Sequence, residues 1–191
     1  MNVRIHISDT ASPIVQRIVR ELGNPEKLHA LIATGAEKAT RDHISRQAGV
    51  RHKTASDLGA APTGELAKAA GRVASDSDAS GASVSVPSYL FRRAFQDVTI
   101  RPINSPYLTI PAAAPAYGKR AGELRRQGWK IFRPGKSKVL MGYLGKGTPI
   151  PLYFLAASVN QRQDRTLLPS NDEFAKVAGE AATLYSQTLM R

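Results

Sequence analysis

Apolar and polar residues alternate at the start of the chain. Val3, Ile5 and Ile7 fall on one side and Asn2, Arg4 and His6 on the other, which predicts a short strand. The pattern then changes to a helical period. Ser12 caps, Pro13 takes the first helical position, Gly23 ends the turn, and Ile14, Val15, Ile18, Val19 and Leu22 form one stripe. Asn24-Pro25 repeats the start signal for a second helix running to about Gln47, with Leu28, Leu31, Ile32, Gly35, Ala39 and Ile44 expected on its buried side. So short a connection predicts a bent helical arm or an antiparallel pair. Periodicity is lost over "AGVRHKTASDLGAAP", expected to be an irregular loop able to order against a partner.

Beyond that loop the signals are short. "TGELAKAAGRVAS" predicts a brief helix starting at Thr63 or Gly64, "DSDASGA" a turn or mobile tip, and "SVSVPS" a strand ended by Pro87. "YLFRRAF" reads as a helical turn. In "RRAFQDVTIRPINSPYLTIP", Val98 and Ile100 alternate with Thr99 and Arg101, and "NSP" turns the chain into a second strand. Pro102, Pro106 and Pro111 suit strand ends and sheet edges. A basic helix is expected over Tyr117–Gln127, stopped by Gly128. Strand, Pro-Gly turn, strand, Gly-rich turn and strand follow, with Trp129, Ile131, Val139, Met141, Leu152, Phe154 and Leu155 facing the core. Ser170 or Asn171 caps a last helix with Phe174, Val177, Ala178, Ala181 and Leu184 on its apolar side. The expected class is α+β: N-terminal helices, a central antiparallel sheet with hairpins and a basic helix, and a C-terminal helix. Residues 1–50 read as a strand and helical arm, and 51–191 as an α+β domain forming one structural unit with it.

Charge changes this picture most. The net charge is +12, with a pI near 10.3. Between Phe91 and Lys146 lie 12 basic residues against Asp97 and Glu123 alone, +10, leaving 15 basic and 13 acidic elsewhere, +2. A field so concentrated favours a polyanionic partner, nucleic acid or an acidic protein face. Aromatic residues are only 6%, so the core is expected to be aliphatic and alanine-rich. The chain has no cysteine, which removes disulfides and thiolate chemistry and fits a reducing compartment. The first ten residues lack a secretory layout, and no apolar run approaches the roughly 18 residues of a membrane span. A soluble protein with no membrane partner is expected.

Candidate chemistry is thin. The histidines stand at 6, 29, 43 and 52. His29 and His43 would be roughly 21 Å apart at about 1.5 Å per helical residue, too far to share a metal. Neither HExxH nor Gly-x-Ser-x-Gly occurs, and the glycines of "GELRRQG" and "GYLGKGTP" do not make a Walker loop. Asp97, Glu123, Asp164 and Asp172 are the carboxylates available for acid–base work, and nothing in their spacing brings them together. No catalytic residue, metal site or cofactor is expected. Lys119, Arg120, Arg125 and Arg126, beside Tyr117 and Trp129, suit phosphate contacts with an aromatic able to stack. Without an RNP, zinc-finger or helix-turn-helix pattern, such contacts would be blind to sequence.

Four stretches carry a family resemblance: "RHKTASDLGAAPTGELAKAA" (51–70), "RRAFQDVTIRPINSPYLTIP" (92–111), "YGKRAGELRRQGWKIFRP" (117–134) and "LYFLAASVNQRQDRTLLPS" (152–170). In content and order they resemble the phage virion morphogenesis family, the tail-completion and head–tail joining proteins of tailed bacteriophages. Arg165, Leu168 and Pro169 match the family's lead into the last helix. Gln96-Asp97 stands where the family usually has a glycine pair, and residues 1–50 match only in being helical. The resemblance implies a non-enzymatic subunit assembling with its own copies into a ring around the DNA channel. It also implies contacts with neighbouring head-connector and tail proteins and non-specific contact with packaged DNA. Its place would be the virion neck or upper tail, reached through the host cytoplasm. The partner-facing or DNA-facing surface is expected on Arg92, Arg93, Arg101, Lys119, Arg120, Arg125 and Arg126. The alternative is a sequence-independent DNA-binding protein.

Overall fold

A computed structural model of the chain describes residues 15, 16, 18–20, 23–51 and 53–189. The strand predicted over residues 2–7, the start of the first helix, His6 and His52 lie outside the described residues. The described elements are α1 (Glu26–Val50), α2 (Lys53–Asp57), α3 (Glu65–Ala70), β1 (Ala74–Ser77), β2 (Ala82–Ser85), α4 (Ser88–Phe95), β3 (Val98–Ile100) and β4 (Leu108–Pro111). After these come α5 (Ala121–Arg126), β5 (Trp129–Phe132), β6 (Val139–Leu144), β7 (Ile150–Ala156), β8 (Val159–Gln161) and α6 (Asn171–Leu189). This is an α+β chain, with helices leading and closing and antiparallel sheets between.

Contacts group the chain into two compact units, each assembled from separated stretches. The first is Met1–His43, Ala70–Pro87 and Leu168–Arg191; the second is Ile44–Ala69 and Ser88–Leu167.

In the first unit, the Asn24 side chain accepts from the Glu26 amide at 3.3 Å and so starts α1. The buried positions of α1 in this unit are Ala33, Ala36 and Thr40, whereas Leu31, expected inside, is exposed; the buried Ile44 further along α1 belongs to the second unit. Small residues set the face because α6 runs close: a Cβ on Gly35 would sit 2.8 Å from Val177 Cγ1. The Thr40 hydroxyl donates to the Ala36 carbonyl at 2.7 Å, so the polar group on this face is satisfied. Val15 and Val19, expected on a buried stripe, are exposed; their period marks a face that finds no cover at those positions. The stretch read as a turn or tip is a hairpin. β1 pairs antiparallel with β2, and Asp78 Oδ1 accepts from the amides of Ser80 (2.7 Å) and Gly81 (3.1 Å). Ser and Asp carry little strand propensity, so the first strand left no mark in the pattern. A capping box begins α6: Ser170 Oγ accepts from the Glu173 amide at 3.2 Å, and Glu173 Oε2 accepts from the Ser170 amide at 2.8 Å. Ala181 and Tyr185 are its buried residues, while Leu184 is exposed.

The second unit contains a four-stranded antiparallel sheet in the order β4-β7-β6-β5. The two strands expected to be joined by "NSP" are not partners. β3 pairs with β8, and β4 pairs with β7 as an edge strand, which suits Pro111. The irregular loop holds α2, whose single buried residue, Ala55, is too little to register as a period. The basic helix is six residues long. A 3-10 turn at Ala114–Ala116 and Gly118, at φ +69°, break the chain before α5 begins.

A bulge organises the sheet's two faces. Leu140 pairs with Tyr153 and Met141 with Pro151, so Leu152 is an extra residue in β7. Leu152 and Tyr153 are consequently both buried, and Phe154 points out where unbroken alternation would have turned it in. Gly142 lies under the bulge: a Cβ there would be 2.3 Å from Leu152 Cδ1 and 3.2 Å from the Lys130 carbonyl. On the inner face, Leu152 and Tyr153 join Ala116 and Leu124, with Trp129, Ile131, Leu140 and Ile150 packed around them. That core has aliphatic and alanine side chains, as composition suggested, but it is built around two aromatic residues, Tyr153 and Trp129.

Candidate macromolecular interface

The positive charge belongs to the second unit. Its sequence holds 18 Lys and Arg against 5 Asp and Glu, +13, leaving 9 against 10, −1, in the rest of the chain. Of those five acids, four are engaged by their own chain, Glu65 by Lys68 at 3.3 Å. Asp97 Oδ1 accepts from the Gln163 amide at 2.6 Å, and Glu123 Oε2 accepts from the Arg120 amide at 3.2 Å. Asp164 pairs with Arg51. None of the 12 basic residues between Phe91 and Lys146 forms an ion pair with a described residue.

All seven expected surface residues are exposed. Arg92 and Arg93 occupy the last turn of α4, whose buried side is Leu90 and Ala94. Arg125 and Arg126 end α5, and Leu124 anchors that helix in the core. Cations at helix C-termini are favoured by the helix dipole, so both pairs also serve their own helices. Lys119 and Arg120 stand in the link before α5, and Arg101 follows β3. These residues therefore form groups on separate elements, and the single wide face expected of one eleven-residue helix does not exist. Lys119 Nζ donates to Gln127 Oε1 at 3.2 Å across α5. The Tyr153 hydroxyl donates to the Lys119 carbonyl at 3.0 Å and ties this link to the sheet. Burial, and then the nearby Glu123 carboxylate, raise the Tyr153 pKa, which keeps it a donor.

Three features escaped the sequence pattern. The first is Arg51. Its guanidinium donates to both carboxylate oxygens of Asp164, to Thr166 Oγ1, and to Gln47 Oε1 at 2.6 Å. The bond from Arg51, then that from Thr166, hold the Asp164 carboxyl below its ordinary range. A separation of 113 residues hides this pair from any local motif. The second is a cleft of about 400 Å³ lined by Arg51, Lys53, Thr63, Glu65, Arg93 and Tyr117. The third is aromatic exposure. Of the chain's five phenylalanines, Phe91, Phe95, Phe132 and Phe154 are 42–51% exposed, all in the second unit. Phe91 and Phe95 meet along α4 with ring centres 4.8 Å apart and planes tilted by 45°. Ile103, in the link between β3 and β4, is 94% exposed.

The described histidines have structural partners in the first unit. His29 Nδ1 donates to the Asp78 carbonyl at 2.8 Å, and His43 Nδ1 lies 3.4 Å from Glu173 Oε1. Among the described residues no group of three His, Asp or Glu could hold a metal, and no helix is long and apolar enough to cross a membrane. Asp97, Glu123 and Asp164 each serve a contact within the fold: Asp97 with the Gln163 amide, Glu123 with the Arg120 amide and Asp164 with Arg51. The arrangement can grip an anionic macromolecule and offer apolar side chains to it. No family model, curated protein or solved structure matches the chain.

Proposed function

We propose that the chain is a structural subunit of a tailed-phage virion, a tail-completion or head–tail joining protein that forms a ring of its own copies around the DNA channel. The observation carrying this reading is the exposure of four of five phenylalanines on the unit that holds +13. A monomer with so few aromatic residues would gain by burying them, and exposed apolar side chains grouped with charge mark an interaction surface. The resemblance of the four sequence stretches to the virion morphogenesis family supplies the context. Arg51 and Asp164 tie two of those stretches, 51–70 and 152–170, into one ion pair. Neighbouring head-connector and tail proteins, and the DNA in the channel, are the partners this reading implies. Repeated around a closed ring, the seven exposed cations would make a positive collar.

Arg125→Glu with Arg126→Glu tests it. Both side chains are exposed at the end of a helix anchored by Leu124, so circular dichroism of the variant should match wild type. Complementation of a phage lacking the protein should yield heads and tails that fail to join, counted by electron microscopy and titre. Normal yields of joined particles would refute the role of α5. A sequence-independent DNA-binding protein is the second reading, favoured by the basic residues of Phe91–Lys146, which form no ion pair with a described residue. It expects micromolar or tighter binding to duplex DNA at low salt, with a steep loss as salt rises.

A further inference from the structure

The outer face of the four-stranded sheet uses none of the seven residues assigned above. In-register pairs place Lys130 opposite Tyr143, Phe132 opposite Met141, and Phe154 between Val139 and Ile110. Paired residues share a face, so one surface carries three rings across β5, β6 and β7, two of them substantially exposed. Positive charge is set against the rings. Lys130 Nζ lies 5.8 Å from the centre of Tyr143, and beyond the paired strands the Arg133 guanidinium lies 5.1 Å from the centre of Tyr107, a ring outside this set of three. Phe132 and Tyr143 meet edge to face at 6.4 Å. Beyond β5, the turn to β6 adds Lys136 and Lys138. Arg133 holds that turn by donating to the carbonyls of Ser137 (2.6 Å) and Lys136 (3.2 Å).

We infer that this face binds single-stranded nucleic acid without regard to sequence. Bases would stack on Phe132, Tyr143 and Phe154, and the phosphates would run along Lys130 and the turn that carries Lys136 and Lys138. A second copy of the same face is a poor occupant, because it would set Lys130, Lys136 and Lys138, all exposed, against their own counterparts. An acidic protein would answer the cations, but Lys130 set against Tyr143, with the exposed rings of Phe132 and Phe154 on the same face, offers charge and stacking surface side by side, as a strand of alternating phosphate and base requires. A duplex, with its bases stacked inside, would use the charge and leave the rings idle. This inference stands on the sheet alone and survives or fails independently of the virion reading.

The test uses the full chain with fluorescein-labelled oligo(dT) of 20 nucleotides and a 20-base-pair duplex of mixed sequence, followed by anisotropy at low and moderate salt. Oligo(dT) should bind more tightly than the duplex. Phe132→Ala with Phe154→Ala should weaken oligo(dT) binding by about tenfold or more and leave duplex binding within about twofold. Phe132→Leu with Phe154→Leu, which keeps apolar bulk without the ring, should also lose oligo(dT) binding, separating stacking from simple apolar contact. Lys130→Ala with Lys138→Ala should weaken both and flatten the salt dependence. Equal affinity for the two probes, or full oligo(dT) binding by the leucine variant, would overturn the inference. So would absence of binding to both probes at low salt, whatever the outcome of the particle-joining experiment.

Discussion

Arg51 answers to three different side chains through one guanidinium, and its importance is invisible without the fold. The carboxyl of Asp164 is held below its unfolded value of about 3.9 by that contact. A carboxylate with a depressed folded pKa binds its proton less readily than the unfolded chain does. Its contribution is therefore complete above pH 4 and disappears as pH falls through the folded value. Asp164→Asn should be less stable than wild type by about 1–3 kcal/mol at pH 7. The gap should narrow below about pH 4 and close in stronger acid. Urea titrations of both proteins across that range would show this, and a gap that stayed constant with pH would contradict it. Residues of this kind, with partners a hundred positions away, cannot be read locally. Those whose partners lie within a turn, such as Ser170 with Glu173, can be.

At the scale of elements, the sheet shows why its strands were legible and one of its faces was not. Trp129, Ile131 and Leu152 keep to the inner side as expected, whereas Val139 and Met141, also expected there, pair with Phe154 and Phe132 on the outer side. The extra residue at Leu152 then advances the alternation by one, bringing Tyr153 in and sending Phe154 out. A bulge leaves no residue signature of its own, but the glycine facing it does: Gly142 interrupts an apolar strand where any side chain would meet Leu152. Gly142→Ala should therefore destabilise the protein by about 1–3 kcal/mol, through overpacking, measured as a lowered urea midpoint. An unchanged midpoint would mean that the bulge is not packed as described. The length of α5 was misjudged for a related reason. Its charged residues form a run, but Gly118 and the 3-10 turn stop the helix from reaching back to Tyr117.

Over the whole molecule, the class of fold and the concentration of charge were both legible, because each is a sum over many residues. The exposure of Phe91 and Phe95 was not, since an apolar residue on a helix reads as core until the helix has a position. Phe91→Ser with Phe95→Ser bears on assembly. Substitution of two surface side chains should leave the urea midpoint equivalent within about 0.5 kcal/mol per site. Sedimentation of wild type should show a concentration-dependent increase in mass that the double variant lacks. Equal behaviour of the two would remove α4 from the contacts between copies.

The interleaving of the two units has a consequence for synthesis on the ribosome. Everything the second unit contains has been made once Leu167 has emerged, so that unit can close while translation continues. The first unit must wait for Leu168–Arg191, the stretch carrying the helix whose Val177 packs at Gly35. A nascent chain stalled before that stretch would present a finished cationic half joined to segments still lacking their closing helix.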